Sequence, residues 1–142
     1  MDSVLPVKAF RYDTGVVGDL GDVLAPPYDV IGPDEQRALH ERHPDNVVRL
    51  ILGYQRPTDT DADNRYTRSA AELRRLLDRG AIRQDGKPAF YVYDQTFALA
   101  DGRTVTRRGV VGRWRIQDEG GLLAHERTLD GPKQDRFRLF RA

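Results

Sequence analysis

Ala89-Phe90-Tyr91-Val92-Tyr93-Asp94-Gln95-Thr96-Phe97 is rich in β-branched and aromatic residues, and Thr104 to Ile116 follows it across Asp101-Gly102. Two such runs separated by an Asp-Gly turn signal predict a long antiparallel hairpin. In its second strand Val110, Trp114 and Ile116 alternate onto one face, with Arg107, Arg113 and Arg115 on the other. The arginine face is either solvated or lies under something anionic. Before the hairpin, a helix is predicted from about Asp63 to Gly80, a residue suited to ending it. Tyr66, Ala70, Leu73 and Leu77 follow its i, i+4, i+7, i+11 core-facing stripe. Hairpin and helix together indicate an α+β fold, a mixed sheet flanked by two or three helices.

Toward the amino terminus, Val4 to Phe10 reads as a first short strand, with Pro6 marking an edge or a strand start. Gly15, Gly18 and Gly21 mark an irregular stretch. A helix begins at Pro33, where Asp34 and Glu35 suit the positive end of the dipole, and stops before Pro44. Asn46 to Leu52 is short, β-branched and apolar, and predicts a buried strand. At the other end Gly131-Pro132 opens a last helix. Phe137 and Phe140 form an apolar pair that wants a partner, and no stop signal follows before Ala142. The chain therefore reads as a single domain, 1–142, that is the amino-terminal part of something longer.

Composition narrows the classes. Hydrophobic residues at 39% and charged residues at 32% describe a folding, water-compatible chain rather than a disordered one. With 23 basic against 22 acidic side chains, no global field recruits nucleic acid or an anionic membrane. The absence of cysteine excludes disulfides, thiolate catalysis and sulfur-ligated metals. No signal peptide and no run of ~20 apolar residues is visible, so the expected location is cytoplasmic.

Two polar words carry the chemistry. In Ala25-Pro26-Pro27-Tyr28-Asp29-Val30 the prolines force an extended or turn backbone, with a cis bond open to it. Such a loop can hold Tyr28 and Asp29 in a cleft, although Asp29 capping local amides is the plain alternative. His125-Glu126-Arg127-Thr128 puts an acid, a base, a guanidinium fork and a hydroxyl in four residues. Its plain alternative is a surface salt-bridge cluster. Lys133, in the first turn of the last helix, stands where the dipole favours an acid; it fits an anion at that helix end, or is simply solvated. Arg136 joins the phosphate-binding candidates, whereas Arg138 and Arg141 read as solubilising. No metal site is indicated. His40 and His43 sit on a charged helix whose solvated face explains them, and P-loop, Gly-x-Ser-x-Gly and dinucleotide fingerprints are absent.

The words also resemble a family. Phe10-Arg11-Tyr12, Gly18-Asp19-Leu20, Asp22 to Ile31, Asn46 to Leu50, Ala89 to Tyr93, Arg108-Gly109, His125 to Thr128, Gly131-Pro132-Lys133, Asp135 and Arg136 occur in the order found in the domain of unknown function 1015 family. Members are usually longer and carry an Asp-Gly-His-His-Arg-Tyr word similar to one in the ParB and sulfiredoxin superfamily, which includes free-serine kinases. That word does not occur here, and Asp130 stands where members often carry a small uncharged residue. The resemblance implies a nucleotide, with Mg²⁺, as cofactor and a small hydroxyl compound as substrate. Asp29 and Glu126 would then be acid/base groups, with Tyr28, His125, Arg127, Thr128, Lys133 and Arg136 holding ligand or phosphate. A regulatory module that binds a nucleotide or metabolite without turnover, and an inactive truncated chain, stay open beside the enzyme. Nucleotide identity and oligomeric state are not encoded legibly.

Overall fold

Each half of the fold is made from segments distant in sequence. The computed structural model describes residues 4–115 and 129–142. One unit comprises Met1–Phe10 with Gln84–Glu126, and the other Arg11–Arg83 with Arg127–Ala142. In chain order the elements are β1 (Val4–Leu5), β2 (Phe10–Tyr12), α1 (Thr14–Val17), α2 (Leu20–Val23), α3 (Pro33–Arg42) and α4 (Val48–Ile51), then α5 (Arg65–Asp78), β3 (Ile82–Gln84), β4 (Tyr91–Ala98), β5 (Thr104–Val111), β6 (Arg113–Trp114) and α6 (Asp130–Arg141). The architecture is α+β, and its strands form three two-stranded pairs: β1 with β6, β2 with β3, and β4 with β5.

The helical unit holds the core. Val17, Val23, Leu76, Ala81 and Ile82 bury their side chains together, with Tyr12, Val16 and Leu50 packed against them. The glycine-marked stretch is more regular than its composition suggests. Asp13 caps α1 by accepting from the Gly15 N–H (2.9 Å), and Asp19 caps α2 through the Gly21 N–H (2.8 Å). Gly18, at φ +76°, supplies the left-handed turn between them. Helix α3 starts at Pro33 as expected.

Residues 46–52 overturn the strand expectation. Asn46 is buried; its amide donates to the carbonyls of Asp22 (2.7 Å) and Leu24 (3.0 Å), and its oxygen accepts from the Val48 N–H (3.0 Å). That side chain satisfies the start of a helical turn, so the apolar run coils into α4 instead of extending.

The phase of α5 also differs from the sequence stripe. Ser69 and Leu76 are its buried residues, while Leu73 and Leu77 remain 41% and 36% exposed. The reason is polar. Asp45, with no exposed surface, accepts from Arg75 (2.8 Å) and Arg79 (2.9 Å), which turns this side of α5 toward the α3–α4 junction. Ser69 donates to the Arg49 carbonyl of α4 at 3.0 Å. The Tyr12 hydroxyl donates to the Asp45 carbonyl at 2.7 Å. Burial, and then the Asp45 and Glu72 charges, push Tyr12 up to about 12.

In the other unit β4 and β5 pair in full register from Tyr91↔Val111 to Ala98↔Thr104. The Asp101-Gly102 turn closes them, with Gly102 at φ +82°. The expected single strand from Thr104 is interrupted at Gly112, where a Cβ would stand 3.1 Å from the Leu5 carbonyl oxygen and 3.1 Å from the Phe90 ring, so the close approach there takes a glycine. The first strand divides as well. Pro6 has no N–H for a ladder, so β1 pairs with β6, and only an isolated Val7↔Ala89 bridge precedes β2.

His40 is not on a solvated face: its ring stacks on Tyr54 with centroids 4.1 Å apart. Burial, and then the Arg49 charge, lower its pKa from the usual 6.5. Between that lowered value and about 6.5 the unfolded chain holds more protons than the folded one, so stability falls as pH drops through this window. Urea unfolding of wild type and His40→Phe at several pH values from 5 to 8 should show this slope flattened in the variant. An unchanged slope would remove His40 from the account.

Candidate functional site

Of the four described candidate residues, Lys133 and Arg136 lie on α6 and Tyr28 stacks against it. Tyr28 lies in a turn closed by the Val30 N–H donating to the Pro27 carbonyl (3.1 Å), and no cis peptide occurs among the described residues, so both prolines are trans. Its half-buried ring lies beneath the Arg136 guanidinium, 3.8 Å from the carbon to the ring centroid. A cation–π contact of this kind stabilises by about 0.5–2 kcal/mol. It joins positions 108 residues apart.

Arg136 is held from other sides as well. It donates to the Ile51 carbonyl at 3.0 Å and, through Nε at 3.0 Å and a terminal nitrogen, to Asp135. The other Asp135 oxygen accepts from Arg65 and from the Tyr66 hydroxyl (2.8 Å). Burial would raise the Asp135 pKa, but hydrogen bonds from Arg136 and Tyr66, with the charges of Arg136 and Arg65, outweigh it and hold the carboxylate low. Asp135 thus ties the start of α5 to α6, and Arg136 ties the end of α4 to it.

Two more predicted residues are accessible. Lys133 is exposed one turn before Arg136, a spacing that puts both side chains on one helix face. Asp29, beside Tyr28, is exposed and accepts no hydrogen bond from a described group. No side chain caps the first turn of α6, where Pro132 falls. The start of α5 differs: the Asn64 oxygen already takes the Tyr66 (2.9 Å) and Thr67 (3.2 Å) amides. Its end of the adjoining open cleft, about 1260 Å³ and lined in part by Gln55, Arg65, Phe137 and Arg138, therefore offers no free amide to an anion at those two positions. Among the described residues no three His, Asp or Glu side chains gather as metal ligands. His125, Glu126, Arg127 and Thr128 lie outside the described residues.

Over residues 4–142 the chain matches the family described as "Protein of unknown function (DUF1015)". The chain belongs to this family. Neither a curated protein nor a solved structure matches it.

In this DUF1015 protein the sequence pattern missed the role of Tyr66, read as a core residue, and of Arg65. The signal for both is long-range, since each meets Asp135 across roughly 70 residues. The low Asp135 pKa means that its contribution is complete above the ordinary carboxylate range and is lost as pH falls below about 4. Asp135→Asn should destabilise the protein by about 2 kcal/mol at pH 7 and by less at pH 3, measured by urea midpoints. Equal losses at both pH values would mean that the charge is not what holds α6.

Proposed function

We propose that the loop bearing Tyr28 and Asp29, together with the first turns of α6, forms a phosphate-handling site that takes a nucleotide, serving a small-molecule kinase of the serine type. The observation that carries this reading is the Tyr28–Arg136 stack, which brings one polar word against the helix that follows the other. Arg136 acts as a positioning residue. Its donors are engaged with Asp135 and Ile51 and its face with Tyr28, so it fixes the loop. Lys133 and the uncapped α6 amides are the groups that would meet phosphate oxygens. Asp29 is a carboxylate open to a magnesium-bound water, and the nucleotide would supply the transferred phosphoryl group. Glu126 is the proposed base, with His125, Arg127 and Thr128 as further ligand contacts by their place just before α6 in the sequence.

One observation favours binding without turnover as the second reading. The internally committed Arg136 is not free to follow charge onto a transferring phosphoryl group, as a catalytic arginine would.

A thermal-shift series with ATP, ADP, CTP and pyrophosphate, with and without Mg²⁺, tests the site. Saturation to 100 times Kd stabilises a folded protein by about 2.7 kcal/mol. A nucleotide shift that Lys133→Ala abolishes while its unliganded Tm holds is the expected result. A wild type that no phosphate compound shifts, or a variant that responds fully, sinks the proposal. With serine added, turnover lost in Glu126→Gln supports the kinase; nucleotide binding without turnover in wild type supports the module.

A further inference from the structure

The β4–β5 ribbon presents a feature that the α6 site does not use. None of the described residues of its unit is buried, and a two-stranded ribbon exposed on both sides is marginally stable alone. One face carries Tyr91, Tyr93, Gln95 and Phe97 from β4, opposite Val111, Gly109, Arg107 and Val105 of β5. Tyr91 is anchored: its hydroxyl donates to Asp85 (2.5 Å) and accepts from the Ala9 N–H (3.1 Å). Tyr93 and Phe97 are not, and stand 57% and 42% exposed. Four residue steps along the strand set them about 14 Å apart, room for a different planar group on each. Arg107 lies between them in the register and donates to Gln95 at 2.6 Å.

Gly109, opposite Tyr93, is the second clue. It is not among the glycines with positive φ, and a Cβ there would have the Tyr93 carbonyl oxygen, at 3.8 Å, as its nearest neighbour. The fold does not require glycine at this strand position, where glycine weakens a ladder. Its effect is to leave the flank of the Tyr93 ring open, as where a ligand approaches closely. The local charge has one sign. Between Tyr91 and Arg115 the chain carries five arginines against two aspartates. Both acids are engaged, Asp94 by Arg108 and Asp101 by Arg103, each at 2.8 Å. That leaves Arg107, Arg113 and Arg115 without a carboxylate partner among the described residues.

Exposed rings with one guanidinium, Arg107, between them on the same face, and with Arg113 and Arg115 exposed further along the same segment, match the chemistry of single-stranded nucleic acid: bases stack and the cations follow the backbone. We propose that this face of the ribbon binds single-stranded nucleic acid with little sequence preference, separately from the α6 site. The overall near-neutrality of the chain does not oppose this, because screening confines the interaction to the local patch.

The test is fluorescence anisotropy of the full chain with a labelled oligouridylate of roughly 12 nucleotides. Binding should weaken with salt at a log–log slope of about −2, for three phosphate contacts. Tyr93→Ala and Phe97→Ala should each bind about tenfold more weakly or worse. Gly109→Val, whose side chain has room and suits a strand, should keep its circular dichroism spectrum and lose comparable affinity. Val92→Thr on the opposite face should bind as wild type. No binding at low salt, or Gly109→Val and Tyr93→Ala both binding like wild type, overturns the proposal. So does competition by polyglutamate equal to that by polyuridylate, which points to an acidic protein partner. A dimer in light scattering that Gly109→Val dissolves gives the face to a second copy instead.

Discussion

Asp45 has no exposed surface, and its carboxylate is compensated by two guanidinium groups from α5, Arg75 and Arg79. Its carbonyl takes the Tyr12 hydroxyl and its N–H donates to the His43 ring at 3.0 Å, so one residue binds β2, the end of α3, the approach to α4 and α5. A buried carboxylate deprived of its cations is strongly unfavourable, by about 3–5 kcal/mol for a broken pair. The elements around it therefore have little freedom to rotate. Helix α5 takes the phase that satisfies Asp45, and its amino-terminal turn, with Arg65 and Tyr66, is then where Asp135 of α6 meets it.

A hierarchy follows within the helical unit. The apolar cluster around Leu76 and Val23 provides non-directional burial, while Asn46 and Asp45 select one arrangement of the short helices above it. Helix α6 comes last and is fastened by polar contacts: it has no buried residue of its own, and Asp135 and Arg136 hold it through α4, α5 and Tyr28. The candidate site thus depends on charge-assisted bonds more than on packing.

The ribbon unit is built on the opposite balance. Its ladder is long and regular, its turn is well specified, and none of its described residues is fully buried. Such a surface calls for cover or for a ligand, whereas an ordinary antiparallel sheet packs one face on a core. The exposed Phe137 and Phe140 of α6, at 56% and 85%, show the same want of a partner in the helical unit that the sequence anticipated.

Local signals set several elements without help from the rest of the chain: Pro33 at the start of α3, Asn64 and Gly80 around α5, Asp101-Gly102 in the hairpin, and the order of words that places the chain in the DUF1015 family. These rest on φ restriction, missing donors and capping, which act over a few residues. Residues 46–52 and the stripe of α5 depart from their sequence pattern because their outcome turns on Asn46 and Asp45 finding partners 22 to 34 residues away. Tyr28 and Arg136 were legible as functional residue types, but not as a pair. A ring and a guanidinium on distant segments carry no sequence mark of meeting, and only the docking of α6 onto α4 and α5 stacks them.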